Sequence, residues 1–433
     1  MCDDVENIEL SENVRGPGQN KFVSPPAGLS RRALLLSGAA AVSTAAAGAS
    51  FAAPNAMPGP KKDTGDGGFQ TAAPNAILID ADSGTVLFEK NADQLLAPAS
   101  LAKLMTAEVV FDQIRMGNLN ADEEFVISEN AWRKGGAPSG GSTMYAPIHS
   151  RVKIRDLLQG VIIQSGNDAC IALAEGIAGN EASFARLMNE RARELGLAKA
   201  NFTNSAGLPD PNMKVTPREL AILSQHIIRT YPEFYKYYGE REFTWNKIRQ
   251  QNRNPLLATV NGADGLKTGF TNEAGYNLVG SAVQNGLRLI VVVMGHKTPA
   301  ERATEAKRIL DWGFNGFESR LLFAEGTAVG EAKLYGGAKS YVPLVGAGAI
   351  KLMVPRGTND RIIARVVYTG PVPAPVDKGQ PIGKLKIWRG ENVALEVPLQ
   401  AEEAVGKGSL TQRAVDAAQE LVVNLFRAGI DKL

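Results

Sequence analysis

Apolar residues change their spacing several times along the chain, and each change marks an element. The run Ile77-Leu78-Ile79-Asp80, the polar turn Ala81-Asp82-Ser83-Gly84 and the strand-like Thr85 to Glu89 predict a hairpin. From Leu101 to Met116 the spacing turns helical, and Ser128 to Tyr231 reads as several helices and loops. Strands return around Leu266. A second hairpin follows, Tyr276 to Val283 and Leu287 to Met294 about the pair Asn285-Gly286, the strongest short hairpin signal. Ala300 to Phe314 reads as a helix with Ala303, Ile309, Leu310 and Trp312 as its apolar positions. Strands, helices, strands and a final helix predict an α+β fold, an antiparallel sheet with helices and an inserted helical subdomain.

The pattern shifts near Glu318. Ser340 to Val345, Ile350 to Val354, Ile362 to Tyr368, Lys384 to Trp388 and Val393 to Val397 alternate between Gly and Pro turns, which predicts a small all-β domain over 319–405. At the end, Ser409 and Gln412 form a capping box. Ala414, Val415, Ala418, Leu421, Val422, Leu425, Phe426 and Ile430 then line one stripe of an amphipathic helix over 409–431.

The start of the chain reads as an address. Ser30-Arg31-Arg32 precedes a weakly apolar, Ala-rich run to Ala53, the form of a twin-arginine export signal. An ordinary secretory signal or an uncleaved anchor would carry the same composition. Ala47-Gly48-Ala49 and Ser50-Phe51-Ala52 both offer cleavage sites, and Met1 to Gly28 is long for a leader, as a misassigned start codon would also produce. The Pro-, Gly- and Ala-rich stretch that follows reads as a linker over 54–71.

Composition narrows the chemistry. The chain has 433 residues, 44% hydrophobic and 21% charged, with a net charge of +2, which gives no reason to expect a nucleic-acid partner. Cys2 leaves with an export signal, so Cys170 stands alone and no internal disulfide is expected. His149, His226 and His296 lack metal-ligand spacing, so neither a metal nor another cofactor is expected.

Three short motifs carry candidate chemistry: Ser100-Leu101-Ala102-Lys103, Ser165-Gly166-Asn167 and Lys267-Thr268-Gly269. A serine hydroxyl is a poor nucleophile until a base takes its proton. Residues three apart on a helix share a face, so Lys103 can reach Ser100, and it serves as a base only if burial and a nearby cation depress its pKa. Lys267 is the expected cation. Ser165 suits a proton relay, and Asn167 suits orientation of Lys103 and a substrate amide. Lys267 and Thr268 offer charge and a hydroxyl to a carboxylate, Gly269 admits a ligand close to the strand, and the N–H groups of Phe270 and Ser100 suit an oxyanion.

Each short motif has decoys. Ser150-Arg151-Val152-Lys153 repeats the first without downstream partners and reads as a surface segment. Ser11-Glu12-Asn13 and Ser128-Glu129-Asn130 repeat the second; the latter reads as a helix cap, with Ser128 or Asn130 as the capping residue. Lys267-Thr268-Gly269 occurs once.

Taken together, and with the flanks Gly160 to Cys170, Asn252-Arg253-Asn254, Asp264-Gly265-Leu266 and Gly275-Tyr276-Asn277-Leu278, the motifs resemble the low-molecular-mass penicillin-binding proteins of the D-alanyl-D-alanine carboxypeptidase type. The resemblance implies a β-lactamase/DD-peptidase-like catalytic domain over 72–318, after the export region 1–53. It implies removal of the terminal D-alanine from peptidoglycan peptide stems through an acyl-enzyme on Ser100, with Lys103 as base and Ser165 and Asn167 as the relay pair. Lys267, Thr268, Gly269 and Phe270 would form the substrate strand, and Arg302 would help hold the terminal carboxylate. β-Lactam antibiotics would be inhibitors, the location would be periplasmic, and the C-terminal helix would lie on the membrane surface; packing on protein is the other reading of that helix. A DD-endopeptidase would use the same residues, and a non-catalytic peptidoglycan binder would not need the Ser100–Lys103 pair. A class A β-lactamase is disfavoured, because roughly thirty to forty residues past Ser165 there is no Glu-x-x-Leu-Asn.

Overall fold

A computed structural model describes residues 3–9, 69–357, 361–389 and 392–418. The paired arginines of the expected export signal, the linker up to residue 68 and the Leu421 to Ile430 part of the C-terminal stripe lie outside the described residues.

The sheet of the first domain is antiparallel and five-stranded. Its strands are β1 (Asn75–Asp80), β2 (Val86–Lys90), β3 (Ala263–Thr271), β4 (Gly275–Gln284) and β5 (Leu287–His296), in spatial order β2-β1-β5-β4-β3. Both predicted hairpins form. At the second, Asn285 and Gly286 both take positive φ, 51° and 77°, as a tight two-residue turn requires. The central strands are apolar on both faces because both faces are covered. Ile77, Ile79, Ile290 and Val292 pack against the helical subdomain, whereas Leu78, Leu289, Val291 and Val293 pack under the last helix of the domain.

Four helices matter for the site: α1 (Lys103–Arg115), α2 (Asn167–Ala178), α3 (Glu181–Glu194) and α4 (Pro217–Thr230). The last helix, α5 (Pro299–Gly316), is capped by Thr298, whose side chain accepts from the Glu301 N–H. Its buried face differs from the expected one. Arg302, Ala306, Ile309, Leu310, Gly313 and Phe314 face inward, and Ala303 does not. The 3.6-residue repeat through 302, 306, 309 and 313 lines the contact, and Gly313 admits the side chains of Leu78 and Leu289, which a Cβ there would meet at 2.6 and 2.7 Å.

All five strands predicted after Glu318 form. Three were not anticipated, Phe317–Phe323, Gly330–Tyr335 and the two-residue Val372–Pro373; the first pairs with Ile350–Pro355. Phe317 and Met353 join the apolar cluster under α5, so this domain packs on the first one. Asp3–Glu9, read above as part of the export region, pairs antiparallel with Ile362–Thr369 at the edge of the seven-stranded sheet. The capping box also forms: the Ser409 N–H donates to Gln412 Oε1 at 2.8 Å and the Gln412 N–H to Ser409 Oγ at 3.3 Å. Residues 410–418 are helical, with Asp416 accepting from the Gly336 N–H at 2.8 Å while Leu410 and Val415 stay exposed.

Candidate active site

Ser100 lies in a 3-10 turn, Ala99–Ala102, and Lys103 is the first residue of α1. The nucleophile candidate therefore precedes the α-helix rather than sitting in it. In a 3-10 turn residues three apart eclipse, which stacks the two side chains more directly than an α-helix would. The Lys103 Nζ is 3.0 Å from Ser100 Oγ, donates to Asn167 Oδ1 at 2.8 Å and also donates to the Ala206 carbonyl. The side chain is 1% exposed. Burial lowers its pKa to about 8, assisted by the Arg253 charge and opposed by Asp168 and Cys170. Lys267, the cation anticipated from sequence, and Lys103 repel each other, and Arg253 is a second cation acting on Lys103 that the sequence reading did not include.

Ser165 closes a π-helical turn, Gly160–Gln164, in a left-handed conformation with φ 66°. A non-glycine residue pays roughly 1–2 kcal/mol for that conformation. It allows the chain to turn directly into α2, which begins at Asn167. The Ser165 Oγ is buried and has no hydrogen-bond partner, as suits a hydroxyl waiting for a substrate atom.

The third motif lies on β3, the edge strand, with Lys267 opposite Val279 and Gly269 opposite Asn277. Edge position leaves one side of the strand free to pair with an extended ligand. Gly269 has a tighter role than the sequence indicated. A Cβ there would lie 3.0 Å from the Pro98 carbonyl and 3.2 Å from the Ser100 nitrogen, so this glycine lets the strand close on the serine turn itself. Lys267 is 2% exposed and its ammonium donates to the Thr268 carbonyl at 3.1 Å. Burial, then the charges of Lys103 and Arg253, holds its pKa well below the ordinary lysine range. Phe270 is exposed and stacks on Tyr276, ring centroids 4.2 Å apart. The Arg302 guanidinium lies over the other end of this group, 5.8 Å from the Tyr276 centroid, with its Nε unpartnered.

The decoys separate by geometry. Ser150 donates to the Pro147 carbonyl at 2.6 Å, and Arg151–Lys153 is a strand, so Lys153 turns to Asp122 at 3.3 Å instead. Ser128 caps its helix through the Ala131 N–H at 2.9 Å; Asn130 does not. A cavity of about 670 Å³ between the Asn285-Gly286 turn and Phe317, Leu321 and Arg356 contains none of the motif residues.

Sequence reasoning missed Asp168. It is fully buried and accepts four hydrogen bonds, from Thr143 Oγ1 at 2.7 Å and the N–H groups of Met144, Ala146 and Ala169 at 2.9, 3.2 and 3.0 Å. Burial raises its pKa against those bonds. An acidic residue opening an apolar helix was the available signal. Every partner is a donor, so Asp168→Asn turns an amide NH2 toward donors. We expect a loss of about 2–3 kcal/mol and a Tm several degrees lower by calorimetry. A Tm equal to wild type would show that the 143–146 loop does not depend on this carboxylate.

Comparison with known proteins follows the same lines. Residues 61–298 match the family described as D-alanyl-D-alanine carboxypeptidase, and residues 317–407 match the C-terminal domain of penicillin-binding protein 5. The chain is 40% identical over 361 residues to D-alanyl-D-alanine carboxypeptidase DacA of Haemophilus influenzae, covering 82% of this chain and 91% of that one. The structure of penicillin-binding protein 5 from H. influenzae is similar with a TM-score of 0.70 at 40% identity, over 78% of this chain and 98% of that one. Penicillin-binding protein D2 from Listeria monocytogenes, solved in an ampicillin-bound form, is similar with a TM-score of 0.51 at 31% identity, over 56% of this chain and 98% of that one. With the first relative spanning most of both chains and the family match covering more than half of this one, the chain belongs to the D-alanyl-D-alanine carboxypeptidase family and is a hydrolase of the penicillin-binding type.

Proposed function

We propose that this carboxypeptidase works through an acyl-enzyme on Ser100. The observation that carries the assignment is the Lys103 amine, buried, 3.0 Å from Ser100 Oγ and held by Asn167. The neutral amine takes the Ser100 proton as the oxygen attacks the carbonyl of the penultimate D-alanine of a peptidoglycan stem. The N–H groups of Ser100 and Phe270 receive the oxyanion. Ser165 passes a proton to the departing nitrogen, the C–N bond breaks and D-alanine leaves. Water, deprotonated through the same base, then hydrolyses the ester and restores Ser100. Lys267, Thr268 and Arg302 hold the terminal carboxylate of the substrate, which supplies the anion that the buried Lys267 ammonium lacks. In a β-lactam the amide bond is part of a ring, so the leaving group stays attached after acylation; penicillin is expected to trap Ser100. Rapid quenching with a D-Ala-D-Ala pentapeptide, followed by peptide mapping, tests the reading: the acyl group belongs on Ser100, and an acyl group on Ser150 or Ser165 overturns it.

The same reading places the enzyme outside the cytoplasm. Cell-wall stems are its substrate, and Ser30-Arg31-Arg32 with the Ala-rich run after it supplies an export signal to the periplasm. The C-terminal helix serves as a peripheral anchor. Its polar contact to Gly336 faces the β domain, while Leu410 at 81% and Val415 at 50% exposure begin the apolar stripe on the open side. Among the described residues no helix is long and apolar enough to cross a membrane. Deleting residues 409–433 is expected to release the exported protein from membranes with activity on soluble peptide intact. A truncated protein that still pellets with membranes, or a full-length one that never does, rules the anchor out.

A further inference from the structure

We propose that Arg253 is a positioning residue for acylation: it fixes Asn167 through Ser142 and sets a permanent positive charge against the Lys103 amine, so that this amine acts as the base. This rests on the assignment of Lys103 as the base for Ser100. The geometry is a chain of short bonds. Arg253 Nη1 donates to Ser142 Oγ at 2.6 Å; the Ser142 carbonyl accepts from the Asn167 N–H at 2.8 Å; and Asn167 Oδ1 accepts from Lys103 Nζ at 2.8 Å. Arg253 thus ties the Gly141-Ser142-Thr143 rim of the cleft to the residue that orients the base.

The turn that presents Arg253 is itself locked. Asn252 Nδ2 donates to the carbonyls of Tyr238 and Glu240 at 3.2 and 2.8 Å, and its Oδ1 accepts from the Asn254 N–H at 3.0 Å. Asn254 Oδ1 in turn accepts from the Leu256 N–H at 3.0 Å. The flanking asparagines hold the backbone, and the arginine is left to point at the cleft. No carboxylate pairs with Arg253 among the described residues, so its charge is not cancelled locally. Tyr145 faces it from the rim.

The charges around Lys103 make Arg253 decisive. From α2, Asp168 and Cys170 favour the protonated amine. The Cys170 thiol is pushed up to about 12 by burial and stays neutral, which leaves Asp168 as the anion to be opposed. From β3, Lys267 is a neighbouring cation, but burial holds its own proton weakly, and a neutral Lys267 exerts no repulsion. A guanidinium stays charged at every working pH. Arg253 therefore opposes Asp168 whatever the state of Lys267.

The test is the rate of acylation by a fluorescent penicillin, measured on the full chain from about pH 6 to about pH 10. The wild type is expected to speed up through a limb near about 8. Arg253→Gln and Arg253→Met are expected to move that limb to higher pH. Each unit of movement slows acylation roughly tenfold at neutral pH, and the loss shrinks as the limb is passed. Arg253→Lys keeps the charge and is expected to keep the limb. Ser142→Ala breaks the tether and is expected to lower the plateau without moving the limb. A loss in the neutral variants that is equal at every pH, or an Arg253→Lys limb displaced as far as theirs, overturns the inference. A wild type with no limb near about 8 refutes instead the assignment of Lys103 as base.

Discussion

Ser100→Ala abolishes covalent labelling by penicillin, and Ser150→Ala leaves it unchanged: this is the expected result with the largest effect. Both serines begin a Ser-x-x-Lys sequence, so the contrast isolates geometry from motif. At Ser100 the lysine amine is buried and 3.0 Å from the hydroxyl; at Ser150 the hydroxyl donates to a carbonyl and the lysine pairs with Asp122. Without a base the hydroxyl cannot shed its proton as it attacks, and general-base assistance is worth roughly 10²–10⁴-fold. Lys103→Ala should therefore slow acylation by about that factor while leaving Ser100 in place. The pH dependence has a defined sign. With its pKa lowered to about 8, Lys103 is roughly one-tenth neutral at pH 7, so the wild-type rate climbs as pH rises and levels off above the limb. An adduct mapped to Ser150, or undiminished labelling of Ser100→Ala, contradicts the assignment.

The second large effect is expected at Arg302. Its guanidinium is 9% exposed, its Nε lacks a partner, and it lies over Tyr276, which also stacks on Phe270 beside the Lys267-Thr268-Gly269 strand. A charge-assisted bond to a carboxylate contributes about 1.5–3 kcal/mol. Arg302→Ala is therefore expected to cut kcat/KM for a peptide ending in free D-Ala-D-Ala roughly tenfold to a hundredfold. Calorimetry should show a much smaller change, because the arginine is on the rim of the α5 contact rather than in its apolar centre. The wild type should discriminate against the C-terminally amidated peptide by a similar factor. Equal cleavage of the free and amidated peptides would show that neither Arg302 nor Lys267 reads the terminal carboxylate.

Much of this site was legible as residue types at fixed spacing, because the signals are local. Asn285-Gly286 specified its hairpin through two positive φ angles, Ser409 and Gln412 specified a helix start through two bonds within one turn, and Ser100 and Lys103 are three residues apart. The error on α5 was also local in origin: Ala303 and Ala306 are equally apolar, and the choice between them depends on where Leu78 and Leu289 meet the helix. What the sequence by itself determined, then, was the set of chemical groups, the α+β order of elements and the membership of Ser100, Ser165 and Lys267 in one family pattern. The tertiary structure decided which copy of a repeated motif is assembled, that Lys267 lies on an edge strand, and that Asp168 and Arg253 are tied by hydrogen bonds to the loop beside Asn167. It also decided the environment that lowers the Lys103 pKa. The bonds that do so join residues 64, 103 and 111 positions apart, to Asn167, to Ala206 and between Arg253 and Ser142. Burial and through-space charge set an amine's pKa, and neither exists until those distant segments have packed together.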